Sequence, residues 1–98
     1  MTEGNRGKGK GAAVSRSAAL SYSGEGAPVL VARGEHAIAA RIVELAREHG
    51  VPIVQDDQLT ELLSQVPLGD EIPPALYVSV AEVLAYIYRL NDQLDTSA

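Results

Sequence analysis

Apolar positions follow a helical spacing in three places along this chain of 98 residues. From about Glu35 to His49, Ile38, Ile42, Leu45 and Ala46 recur at that spacing, while Arg41, Glu44, Arg47 and Glu48 take the wet side. The pattern predicts an amphipathic helix, with Glu44 and Arg47 placed to pair at i,i+3. Gly50 fits the C′ position, and His49 stands where a cation suits the helix dipole. Leu59, Leu62, Leu63 and Val66 predict a second helix from Gln58 to about Val66. Asp56 or Asp57 caps it, and Pro67 and Gly69 end it. A third helix starts with Pro74 near N1 and runs to about Leu90. Leu76, Val80, Val83, Leu84 and Ile87 form one stripe, yet Val78, Ala81, Ala85, Tyr86 and Tyr88 leave its other sides apolar too. Such a helix is either sandwiched or offers a second face to a partner.

Between the helical segments lie strand patterns. Residues 17–22 form a modest candidate, and the glycines of 23–27 mark a turn. Residues 28–33 are nearly continuous in apolar type, as in a strand covered on both faces, and Gly34 punctuates their end. Residues 51–55 read as a short third strand. Strand, helix and strand with short joints make a βαβ unit, so the second and third strands are expected to run parallel with a right-handed crossover. The expected fold class is α/β: a small mixed β-sheet of about three strands, with one βαβ unit, packed with three helices. Residues 1–14 are expected to be a disordered, basic, Gly-rich tail, 15–90 the folded domain and 91–98 a flexible C-terminus.

Composition narrows the chemistry. The length allows one domain. Without cysteine there is neither a disulfide framework nor a thiolate metal site. The core must be aliphatic, because phenylalanine and tryptophan are absent and there are four tyrosines. No apolar run approaches the ~20 residues of a membrane span, and no hydrophobic leader marks the N-terminus, so a cytoplasmic protein is expected. Charge is uneven. Four cations against Glu3 leave residues 1–16 at +3; four arginines against twelve acids leave residues 17–98 at −8, giving −5 in all. An acidic body repels phosphate and argues against a nucleic-acid partner.

Motifs for catalysis or cofactors are weak. The strand–Gly34–helix junction lacks the further glycines of a phosphate-binding turn and reads as an ordinary βα turn. His36 and His49 lie near opposite ends of one helix, so neither a metal nor a general-base pair is expected. Asp56, Asp57 and Glu61 are explained by capping and a solvated face. Ser15, Ser17, Ser21 and Ser23 have no nucleophile-elbow context. Tyr77, Tyr86 and Tyr88 read as core-edge residues. No enzyme activity, metal or cofactor is expected.

The segment from Gly69-Asp70-Glu71-Ile72-Pro73-Pro74 through Tyr77, Ala81-Glu82-Val83-Leu84-Ala85 and Tyr86 to Leu90 resembles the close of the cytoplasmic domain of FlhB/YscU-type proteins. These are the substrate-specificity switches of flagellar and type III secretion export machines. The resemblance runs from about Ser17 to Leu90. It includes residues 27–34 (APVLVARG), 38–42 (IAARI), 48–54 (EHGVPIV) and 59–63 (LTELL). Two departures stand out. No counterpart of the family's N-terminal membrane domain is expected. Its self-cleaving Asn-Pro-Thr-His loop falls by position on Ala12, Ala13, Val14 and Ser15. That cleavage needs the asparagine amide to attack its own carbonyl carbon, and Ala12 has no such nucleophile, so no self-cleavage is expected.

The family's first strand lies upstream of that loop, where this chain has its Gly/Lys stretch, a poor strand. Three strands are therefore expected rather than the family's four. A bare sheet edge is expected too, covered by self-association or by strand addition from a partner. By resemblance, an apolar patch that receives export substrates maps onto Ala27, Pro28, Ala81 and Leu84, which would otherwise be core residues. The implied partners are the export-gate cytoplasmic domain, the membrane portion of the switch protein and secreted substrates. The implied role is that of the cleaved C-terminal fragment, peripheral at the inner-membrane export apparatus. The alternative is a self-associating structural or regulatory remnant with no export role.

Overall fold

The computed structural model describes the backbone of residues 2–4 and 15–96 and the side chains of 15–90. Four strands, β1 (Thr2–Gly4), β2 (Arg16–Ser21), β3 (Val29–Glu35) and β4 (Val54–Gln55), form one sheet in the order β3-β2-β1-β4. Three helices, α1 (His36–Glu48), α2 (Asp57–Leu63) and α3 (Tyr77–Thr96), pack with it. The result is a small mixed α/β domain, as the pattern predicts.

The sheet corrects the strand count. Thr2–Gly4, inside the stretch expected to be a structureless tail, is the inner strand β1. It pairs antiparallel with β2 (Thr2 opposite Ala18) and parallel with β4 (Thr2 opposite Val54). The edge expected to be bare is therefore paired along Arg16–Ala18 of β2. Strand propensity is a weak prior, and pairing on both sides overrides it. β3 and β4 do run parallel, but β2 and β1 stand between them. β4 is shorter than the expected 51–55. Residues 5–14, including Ala12, Ala13 and Val14, which the resemblance assigned to a degenerate cleavage loop, lie outside the described residues.

Ser17, Ala18 and Ala19 are buried in succession. Since neighbouring side chains in a strand point to opposite faces, both faces of β2 are covered. On one face the Ser17 hydroxyl donates to the carbonyl of Ala39 in α1 at 3.0 Å. α1 buries Ala39, Ile42, Val43 and Ala46. On the other face Ala18 and Leu30 join Leu59, Leu63, Val66, Ile72, Leu76 and Val80 in the main core. Arg16 reaches Glu61 of α2 at 3.5 Å on this same face.

The covering is incomplete. Ala19 pairs with Ala32 but Leu20 pairs with Leu30, so Val31 is the extra residue of a β-bulge. It is 51 % exposed. β3 is thus not the doubly covered strand that its apolar run suggests. The stripe on α1 shifts similarly. Ile38 (63 % exposed) and Leu45 point outward, while Ala39 and Val43 are inside. On α2, Leu62 is exposed and Thr60 fully buried. Thr60 tolerates this because its hydroxyl donates to the Asp56 carbonyl at 2.7 Å. Glu44 pairs with Arg41 at 2.7 Å, rather than with Arg47.

The caps of α1 and α2 follow the sequence, although α2 stops at Leu63, short of the expected Val66. Asp56 Oδ1 accepts from the Leu59 N–H at 3.0 Å, capping α2. Gly50, at φ +67, closes α1. Val51 N–H reaches the Ala46 carbonyl and Gly50 N–H the Arg47 carbonyl, the paired bonds of a Schellman motif. α3 is preceded by a 3-10 turn over Pro74–Leu76. It continues to Thr96, so residues 91–96, expected to be flexible, carry on the helix.

Candidate functional site

A cleft of about 530 Å³ opens between the approach to β3 and the first half of α3. Three backbone devices build it. The turn before β3 uses Gly24 and Gly26 at φ +96 and +70, conformations that glycine adopts without a Cβ penalty. It delivers Ala27 and Pro28 to the cleft wall. The 69–72 segment is then laced to β3. Gly69 N–H donates to the Leu30 carbonyl (2.8 Å), Leu30 N–H to the Asp70 carbonyl (2.9 Å) and Ile72 N–H to the Pro28 carbonyl (2.9 Å). These bonds occupy the start of the outer edge of β3. They also fix Glu71 and Ile72 beside Ala27 and Pro28. Finally, Pro73 and the 3-10 turn aim α3 back across the cleft.

Tyr77, Val80, Ala81 and Leu84 of α3 all line it. Their i, i+3, i+4, i+7 spacing puts them on one helix face. Val80 (1 % exposed), Ile72 (2 %) and buried Pro28 make the floor. Ala27 and Leu84 are half-buried, and Ala81 is exposed. Tyr22, Tyr77 and Glu71 stand at the rim, and Glu71 is the charged residue of the lining.

The four residues assigned by resemblance, Ala27, Pro28, Ala81 and Leu84, thus come together in one cleft, although more than fifty positions separate the two pairs. Pro28 belongs to the packed interior; Ala81 does not. Sequence reasoning missed the others. Tyr77 and Val80 were accessible by counting back along the helix from Ala81 and Leu84. Glu71 and Ile72 carried no signal, since hydrogen bonds to β3 place them. Ser15, which the resemblance assigned to the cleavage loop, lies elsewhere, its carbonyl accepting from the His36 N–H at 3.0 Å.

His36 and His49 sit at the two ends of α1. No group of three or more His, Cys, Asp or Glu that could hold a metal occurs among the described residues. No helix among the described residues is long and apolar enough to cross a membrane.

A mixed sheet, with the turn before β3 and the last helix framing a largely apolar cleft, is the architecture on which the comparisons bear. The model of the FlhB HrpN YscU SpaS family matches residues 15–87, and the chain belongs to that family. It is 40 % identical over 68 residues to the uncharacterized protein YlqH of Bacillus subtilis, covering 69 % of this chain and 73 % of YlqH. It is 43 % identical over 72 residues to the flagellar biosynthetic protein FlhB of Aquifex aeolicus, covering 70 % of this chain and 21 % of that one. The chain therefore spans about a fifth of that FlhB's length. Among solved structures, the cytoplasmic domain of FlhB from Shewanella putrefaciens superposes with a TM-score of 0.76 at 30 % identity, covering 82 % of this chain and 68 % of that one. The PscU C-terminal domain gives 0.69 at 26 %, covering 74 % and 96 %. Membership in this family supports a role in flagellar or type III protein export.

Proposed function

We propose that this chain is a non-enzymatic component of flagellar or type III export that stands in for the cleaved C-terminal fragment of the export-switch protein. In this reading its cleft holds apolar segments of export substrates, and its other partners are the export-gate cytoplasmic domain and the membrane portion of the switch protein. It works on the cytoplasmic side, at the periphery of the inner-membrane export apparatus. The observation that carries the reading is the convergence of Ala27, Pro28, Ala81 and Leu84 on one cleft.

The energetics suit a transient handover. Burying one leucine-sized side chain contributes about 1.5–3 kcal/mol. Association costs consume much of that, so a segment with one or two anchors binds weakly and leaves quickly. With Ala12-Ala13-Val14-Ser15 where the family has its cleavage loop, the fragment role needs no self-cleavage. Intact-mass spectrometry after prolonged incubation is expected to give one species.

The decisive test is complementation. The chain is expressed in cells whose full-length switch protein is truncated at its cleavage loop, and export of late flagellar substrates is scored. Restored export is the expected outcome; no rescue by folded, abundant protein would refute the stand-in role.

A further inference from the structure

Glu71 gives the cleft a charge that the apolar patch does not explain. It lines the wall between the turn and α3. Its Oε2 lies 3.9 Å from where a Cβ on Gly26 would stand, so the carboxylate reaches across to the glycine turn. None of the residues lining the cleft is basic, and Glu71 makes no ion pair with another described residue. The two sheet arginines, Arg16 and Arg33, stand toward the other end of β3 from the Val29–Glu71 bridge and have partners there, Arg16 with Glu61 and Arg33 with the Ser64 carbonyl at 3.1 Å. Glu25, next to lining Gly26 in the chain, adds negative charge on the turn side. Residues 17–98 together carry −8, a field that draws cations and turns away acids.

We infer that the cleft selects peptide segments in which an apolar side chain is flanked by lysine or arginine, with Glu71 reading the cation. The inference rests on the cleft being a substrate site, and it names the class of segment that fits. The aliphatic floor takes the anchor, and the carboxylate at the rim faces the flanking ammonium or guanidinium. Because the pair is exposed, its contribution is small. About a two- to fivefold preference over a neutral flank is expected, and it shrinks as salt screens the pair. An acidic flank is disfavoured by the same Coulomb interaction with its sign reversed.

The test is a titration of the ¹⁵N-labelled full chain, followed by amide shifts, with three Gly/Ser-framed octapeptides. Their centres are Leu-Ile-Lys-Lys, Leu-Ile-Gln-Gln and Leu-Ile-Glu-Glu. The expected result is shifts at Gly26, Ile72 and Ala81, with Kd rising from the Lys to the Gln to the Glu peptide. Glu71→Gln should level the series, and Glu71→Lys should reverse it. Both variants keep the backbone bridge between Val29 and Glu71, which uses no side-chain atom. Cleft binding without charge preference, or a preference that survives Glu71→Gln, overturns the inference and leaves the substrate-site reading standing. Absence of cleft binding by all three peptides, or binding that ignores Ala81→Asp, overturns both.

Discussion

Ile38 lies over Gly34 so closely that a Cβ on Gly34 would stand 2.8 Å from the Ile38 Cβ and nearer still to its Cγ2. The glycine is required by this approach of α1 to β3. Its φ lies outside the left-handed range, so conformational freedom is not the reason. Ile38 is β-branched and stiff at χ1, so it cannot swing its Cβ away. Gly34→Ala is expected to destabilise the domain by about 1–3 kcal/mol, the usual cost of overpacking. Urea unfolding would measure it. Adding Ile38→Ala should restore only part of the loss, because the Cβ–Cβ conflict remains.

His36, two residues further on, opens α1 at φ +52. That left-handed conformation costs a non-glycine residue about 1–2 kcal/mol. His36→Gly is therefore expected to raise stability by about 0.5–1 kcal/mol after the added unfolded-state entropy of glycine is subtracted. A higher urea midpoint with an unchanged slope is the expected readout. The N–H bond to the Ser15 carbonyl survives the change, since it is a backbone bond.

Asp56 holds the start of α2 through its bond to Leu59 N–H. Asp56→Ala should cost about 0.5–2 kcal/mol. Amide exchange should localise the effect, with Leu59 losing protection first. Asp56→Asn, which keeps an acceptor oxygen, should recover most of it.

Ala81 and Val80 are neighbours on α3 with opposite fates, one exposed and one 1 % exposed. Ala81→Asp should leave the helical circular-dichroism signal intact and abolish binding of apolar peptides at the cleft. Val80→Asp buries a charge without a partner and should unfold the domain, since the cost is several kcal/mol. Loss of structure in Ala81→Asp would instead make that position part of the core.

The elements that repeat an apolar spacing and end in strong punctuation were legible from the chain alone. α1 with Gly50, α2 with Asp56 and the Pro-led start of α3 depend on local rules, in which capping groups and turn residues act within a few positions. Three helices and a small mixed sheet follow from them. The four cleft residues came from family resemblance, and Tyr77 and Val80 follow by counting turns. Tertiary structure decided what pairing across the chain controls. A three-residue strand of low propensity holds an inner place because β2 and β4 satisfy it from both sides. Val31 is exposed because the ladder skips it, and Ile38 stays largely exposed while lying over Gly34. Glu71 joins the cleft only because Gly69, Asp70 and Ile72 are bonded to β3. Periodicity reports which residues share a face, whereas long-range hydrogen bonds choose what that face meets.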